Sequence, residues 1–246
     1  KIPLICLKIN KQKNIFFKFF TFFISIVKVC ILINKIKPSI IQTWLHHSDL
    51  FGLIVCFITR HKKLIWSVRC SYLDNKFISY KNKIIVKILS FFSRFPYLII
   101  FNSELGLKAH IEEGYSPKKY KIIFNGVDTN FFKPDDINRK NIKKKLNIDE
   151  KSRVIGYIGK YEKIKDIDTF LLTVKEIQSK INNIKIIMAG KNLDNSNIIL
   201  INQIKKHNLQ NIILLGNYEK INLLILAFDL LILTSVSEGF PNVLLE

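Results

Sequence analysis

An α/β fold with two parallel, doubly wound sheets is what this sequence predicts, and three observations carry that reading. Short, fully apolar runs alternate with longer amphipathic ones along the chain. The alternation comes in two successive series separated by a polar stretch. The apolar runs lack the in–out polarity of strands with one wet face, so both faces of each sheet must be covered, as in βαβ architectures.

In the first series Ile40–Trp44 reads as a strand, Ser48–Thr59 as a helix and Leu64–Ser67 as a strand. Lys81–Phe92 reads as a helix, Tyr97–Phe101 (YLIIF) as a strand, and Ser103–Glu113 as a helix capped by Asn102 or Ser103. Lys121–Phe124 is a short strand stopped by the turn pair Asn125-Gly126. Asp128–Glu150 is polar, with Pro134-Asp135-Asp136 and Lys143-Lys144-Lys145, and marks a domain boundary. We place the domains at 1–132 and 133–246. In the second series Arg153–Gly159, Ile184–Gly190, Ile212–Gly216 and Leu230–Thr234 are strands, and Asp168–Ile181, Asn197–His207 and Lys220–Ala227 are helices.

The 246 residues are 48% hydrophobic, enough for one large core or two ordinary ones. The formal charge is +20, yet only five of the 39 basic residues are Arg (Arg60, Arg69, Arg94, Arg139, Arg153). A dedicated nucleic-acid reader would be richer in the bidentate residue, so no nucleic-acid partner is expected. Ala occurs three times while Ile, Lys and Asn are abundant, which reads as compositional drift with solvated Lys faces. Such a surface is still drawn to an anionic membrane. Cys6, Cys30, Cys56 and Cys70 lie far apart without a C-x-x-C, so they read as structural thiols of a reducing compartment. Ile15–Ile33 is the most apolar run, but Lys18 and Lys28 interrupt it. Each central Lys costs ~2.5–3.5 kcal/mol in a span, so a buried or interfacial helix is expected. The expected location is cytoplasmic, peripheral at the membrane face. The chain begins at Lys1 without Met and stops at Glu246, a turn into what reads as a new helix. It is therefore expected to be cut at both ends.

The chemistry concentrates in loops that follow strands, where ligands bind in such sheets. After the strand LLILT comes SVSEGFP, and NVLLE opens a helix with Pro241 suited to its first position. Free amides of Gly239, Phe240 and Asn242 at a helix start would receive phosphate or sugar oxygens. Glu238 in the loop and Glu246, one turn beyond Asn242, would accept from vicinal hydroxyls. No metal and no cofactor are expected, because cationic side chains would take a metal's place.

Glu238 and Glu246, with seven residues between them and the core GFPNVLL, resemble the paired-glutamate motif of retaining GT-B glycosyltransferases of the "glycosyl transferases group 1" (family-4) type. Within that core Gly239, Phe240, Pro241, Asn242 and Val243 take the donor-binding positions. Gly159-Lys160-Tyr161-Glu162-Lys163-Ile164-Lys165-Asp166 resembles the family's loop of Gly-Arg-Leu, three variable residues and Lys-Gly. There the Arg and Lys grip the donor diphosphate. Here Lys165 matches, Lys160 keeps the charge without the bidentate fork, and Asp166 replaces the Gly. FNGVDTNFFKP, Phe124–Pro134, resembles the interdomain crossover, with a structural job for Asn125 and Gly126. QTWLHHSDLFG, Gln42–Gly52, resembles the segment bearing a His near donor sugar and acceptor, and alignment by Asp-Leu favours His47 over His46; a helix-capping His at a surface turn is the competing explanation. Arg69, Ser71 and Ser103 also follow strands, and capping and solvation explain them equally well.

The resemblance implies two Rossmann-like domains facing a cleft. It also implies retaining transfer from a nucleotide sugar to a hydroxyl acceptor, a glycan or lipid-linked glycan of the cell envelope. Lys160, Lys165, His47 and Glu238 would be catalytic, and Gly159, Gly239, Phe240 and Glu246 would hold the donor. The rival readings are a sugar-nucleotide epimerase on the same fold and a basic membrane- or polyanion-binding module.

Overall fold

The computed structural model describes residues 15–71, 73, 76–116 and 118–246, with side chains from residue 20 onward. The chain divides into two units, residues 1–124 and 125–246. The sequence boundary at 132/133 lies a few residues further on. Cys6 lies outside the described residues.

In the first unit α1 (Ile15–Ile36) precedes β1 (Ile41–Trp44), α2 (His46–Thr59), β2 (Leu64–Val68), α3 (Tyr80–Phe92), β3 (Leu98–Phe101), α4 (Glu104–Glu112) and β4 (Tyr120–Ile122). The strands are parallel in the order β1-β2-β3-β4. Short β-branched and aromatic runs suit strands whose pleats are buried. Trp66, Val68, Ile99 and Phe101 carry the sheet's share of one core, and Leu53, Cys56, Val86 and Leu89 meet it from α2 and α3. Helix α1 packs on α2, with Phe22 edge-on to Phe51. The Ser103 hydroxyl, and not Asn102, caps α4 by accepting from the amide of Gly106 at 3.0 Å. Cys30, Cys56 and Cys70 are not joined in disulfides. Among the described residues no helix is long and apolar enough to cross a membrane.

The second unit holds α5 (Asp136–Lys145), β5 (Arg153–Ile158), α6 (Ile167–Lys180), β6 (Ile184–Ala189), α7 (Ile198–Lys206), β7 (Ile212–Gly216), α8 (Ile221–Ile225) and β8 (Leu230–Leu231). Its parallel order is β7-β6-β5-β8. Burial alternates along the central strands. Ile155, Tyr157, Ile186 and Met188 face one core with α6, while Val154, Ile187 and Ala189 face another with α5 and α8. Both faces are thus covered.

Two elements correct the sequence reading. The stretch read as a polar boundary contains α5, capped by Asp135, whose carboxylate accepts from the amide of Asn138 at 2.9 Å. Its apolar face is as narrow as Ile142, but Arg139 fastens it: the guanidinium donates to the carbonyls of Leu226 and Phe228 and pairs with Asp229 at 2.5 Å. Strand β8 keeps two residues of the run LLILT, because the chain leaves β5 after the amide of Ile232 bonds to the Gly156 carbonyl.

Candidate active site

The strand order of the second unit places the site. The chain winds from β5 outward to β6 and β7, then returns to add β8 on the other side of β5. The reversal lies between β5 and β8, so the loops at the carboxyl ends of those strands flank the switch point at which such sheets bind ligands. They are Gly159–Asp166 and Thr234–Asn242, the two segments singled out in the sequence.

Three side-chain and backbone links lace these loops. The Thr234 hydroxyl reaches the carbonyls of Asp166 at 2.8 Å and Lys165 at 3.2 Å. The amide of Val236 donates to the carbonyl of Ile164 at 2.9 Å. Lys165 Nζ donates to Glu238 Oε1 at 2.5 Å, both side chains being about one-fifth exposed. Sequence reasoning assigns Lys165 and Glu238 separate jobs; the structure brings them together as an ion pair. Lys160 is exposed on the same loop.

Glycines set the approach of the backbones. At Gly190, φ is +137°, and a Cβ there would stand 1.6 Å from the carbonyl oxygen of Gly159. Only a residue without a side chain lets the ends of β5 and β6 come this close. Beneath Gly159 lies Tyr157, whose hydroxyl is buried without a hydrogen-bond partner. Burial, and then the charges of Glu238, Asp166 and Glu162, raise its pKa. Sequence reasoning missed Gly190 and Tyr157, since one lay at a strand end and the other read as core.

Asp166 stands in the left-handed region, φ 44° and ψ 61°, where the resembled family has Gly. Its carboxylate offsets the strain by accepting from the amide of Thr169 at 3.3 Å and its hydroxyl at 2.7 Å, capping α6. Asp166→Ala keeps the strain and loses the cap, so we expect a loss of about 2 kcal/mol. Asp166→Gly exchanges the cap for relief and should stay within about 1 kcal/mol of the parent. Urea denaturation of both variants checks the difference.

The Asn242 segment departs from expectation. It forms a 3-10 turn over Asn242–Leu244 rather than a helix opened by Pro241, which precedes the turn with ψ 80°. The amide of Asn242 is engaged, donating to the carbonyl of Phe240 at 3.0 Å. Its side-chain oxygen accepts from Asn125 at 2.8 Å, tying the turn to the crossover segment. Gly239, Phe240, Pro241 and Val243 are all half-buried, while Asn242 is exposed. Glu246 lines a pocket with Lys133, Asp136, Arg139 and Phe228, whose lining includes neither Lys165 nor Glu238. Among the described residues no group of His, Cys, Asp and Glu is placed to hold a metal.

In the first unit α2 starts at His46, two residues earlier than read from the sequence. Leu45 before it has φ 71°, a strained conformation for a bulky residue, pinned by its amide to the Ser67 carbonyl at 3.2 Å. The turn leaves His47 exposed and carries His46 inward, where its Nε2 lies 2.8 Å from Nε2 of His110. His110 Nδ1 lies 2.7 Å from the carbonyl of Gly106 and must donate to it. A neutral His110 then offers a bare Nε2, so His46 donates from its own Nε2–H. Burial lowers both, His46 to about 3, with its neighbours His110 and His47 adding to the effect, and His110 to about 4. Nearby Asp49 accepts from Thr43 at 2.5 Å, and burial raises its carboxyl to about 7.

These shifts oppose each other. The depressed His values give stability that is present above pH 6.5 and lost as pH falls toward 4. The raised Asp49 value gives stability present below pH 3.8 and lost as pH rises to about 7. Between about pH 4.5 and 6.5 the unfolded unit binds about one more proton than the folded one, so stability rises with pH by about 1.4 kcal/mol per unit. Both tryptophans lie in this unit and Trp66 is buried against Tyr115, so denaturation followed by tryptophan fluorescence reads the slope. His46→Gln should flatten it.

Residues 138–246 match the family described as Glycosyl transferases group 1. The chain is 26% identical over 234 residues to the capsular polysaccharide biosynthesis glycosyltransferase CapM of Staphylococcus aureus, covering 90% of this chain and 59% of CapM. The structure of Anabaena HepE in complex with UDP and glucose superposes with a TM-score of 0.76 at 23% identity, covering 89% of this chain and 58% of that one. Sucrose-phosphate synthase from Thermosynechococcus elongatus gives 0.74 at 13% identity, covering 91% and 57%. The chain thus has the GT-B fold and spans a little under three-fifths of the length of these three relatives. Its likeness to the glycosyl transferases group 1 family is carried by residues 138–246, the stretch that holds the Lys165–Glu238 pair.

Proposed function

We propose that the protein transfers a sugar, with retention, from a nucleotide-sugar donor to a hydroxyl acceptor of a cell-envelope polysaccharide. The observation that carries this is the Lys165–Glu238 pair at the sheet's switch point. Each charge keeps the other from standing unpaired when no donor is bound. A donor diphosphate gives Lys165 a new anionic partner and frees Glu238 to accept from the sugar hydroxyls. As the bond to the leaving diphosphate breaks, Lys165 and Lys160 offset the charge that grows there, the electrostatic stabilisation on which such catalysis chiefly depends. No metal or cofactor takes part in this reading. Gly159 and Gly239 let the backbone approach the donor. Glu246, at the far end of the motif, holds the ribose, and His47, exposed on the first unit, is the acceptor-side residue. Two relatives support the reading through their own ligands and roles: HepE in complexes with UDP-glucose, and CapM in capsular polysaccharide biosynthesis.

The test is sugar transfer and release from a panel of nucleotide sugars by the full-length protein, with Lys165→Ala and Glu238→Gln beside it. Unchanged turnover in both variants would sink the assignment. Product formed without an acceptor, as an epimerised nucleotide sugar, would favour the epimerase instead.

A further inference from the structure

We propose that the outer face of α3, extended by the end of α2, is a docking surface for an anionic lipid bilayer. Tyr80, Ile84, Ile88 and Phe91 recur at i, i+4, i+8 and i+11, so they share one face. That face is turned to solvent: Tyr80 is 81% exposed, Phe91 80%, Ile84 44% and Ile88 38%. The opposite face holds Val86 and Leu89 in the core, so the helix is apolar on both sides without needing the outer one to fold. The apolar surface continues at the helix end. Phe57 of α2 stacks on Phe95 with centroids 4.1 Å apart, and both rings are nearly half exposed. A contiguous exposed apolar surface of this kind marks an interaction site.

Charge decides the partner. Residues 51–100 carry nine Lys and Arg against a single acidic residue, Asp74, whereas the whole chain has 39 against 19. Lys81, Lys83 and Lys87 are interleaved with the apolar stripe, and Arg94 follows it. Lys87 pairs with Glu113, the residue after α4, at 3.0 Å yet stays 60% exposed. Lysine is depleted at protein–protein interfaces, while lysine beside aromatic and aliphatic side chains is the composition of helices that lie on anionic membranes. Aromatic rings settle at the headgroup level, and each cation near the surface adds attraction that salt screens. The surface is independent of the donor site, which lies in the second unit.

The experiment is co-sedimentation of the full-length protein with vesicles of phosphatidylcholine containing about one third phosphatidylglycerol, against pure phosphatidylcholine. Binding is expected to the anionic vesicles and to fall steeply with salt. Ile88→Glu combined with Phe91→Glu should lower it at least about tenfold. Should that variant lose its fold, Lys81→Ser with Lys83→Ser tests the same face through charge. Lys175→Ser with Lys180→Ser, on α6 of the second unit, makes the same charge change elsewhere and should leave binding within about twofold. Undiminished binding in the α3 variants overturns the proposal, as does an equal loss in the α6 control or a loss of self-association without vesicles. Transfer to a water-soluble acceptor separates this surface from the donor site, because the α3 variants should retain it.

Discussion

Replacing Lys165 by alanine is expected to lower kcat for sugar transfer by about 10²–10³-fold, the cost of removing one preorganised charge aimed at a developing anion. The effect should fall on kcat more than on KM, because the diphosphate gains negative charge as it leaves. Lys165→Arg keeps the charge but exchanges a point cation for a planar fork, so it should recover part of the loss. Stability should fall too, by up to about 3 kcal/mol, because the pair is only about one-fifth exposed and removing one charge of a largely buried pair is costly. Glu238→Gln should lower kcat through the sugar side while leaving Lys165 in place. The double variant should fall short of the product of the single losses, because the two side chains share one interaction that either change removes. Steady-state kinetics with a saturating acceptor, beside melting curves, separates catalysis from folding.

Gly190→Ala is expected to cost about 4 kcal/mol, a large share of the ~5–15 kcal/mol that holds a domain together. Two effects add: a side chain at positive φ, about 1–2 kcal/mol, and steric overlap, about 1–3 kcal/mol. The overlap is with backbone, the carbonyl of Gly159, which cannot swing aside as a side chain would. Relief requires separating the ends of β5 and β6, where the amide of Gly159 bonds to the carbonyl of Ala189 at 3.0 Å. That shift would carry Lys160 and Lys165 with it, so activity should fall even in the folded fraction. Gly156→Ala is the informative partner. Its Cβ would meet the Phe228 side chain, Cδ2 at 2.1 Å and Cγ at 2.6 Å, so a whole side chain but no backbone must shift, and the loss should stay near 1–3 kcal/mol. Scanning calorimetry ranks the two, and equal losses would contradict a backbone origin for the larger one.

The sequence alone determined the alternation of strands and helices, because a buried parallel strand must be a short apolar run whatever surrounds it. It also marked the loops after β5 and β8, whose Gly, Lys and Glu residues stand where strands end. Local pattern could not reveal α5, since its hold is one arginine reaching carbonyls some ninety residues away. Nor could it tell His46 from His47: neighbouring residues on a helix point in different directions, and the direction followed from the strained turn at Leu45. Strand order was likewise invisible, because apolar strands carry no mark of which neighbour they will take. Only the tertiary structure placed β8 beside β5, and that placement brings Lys165 to Glu238 across 73 residues of chain.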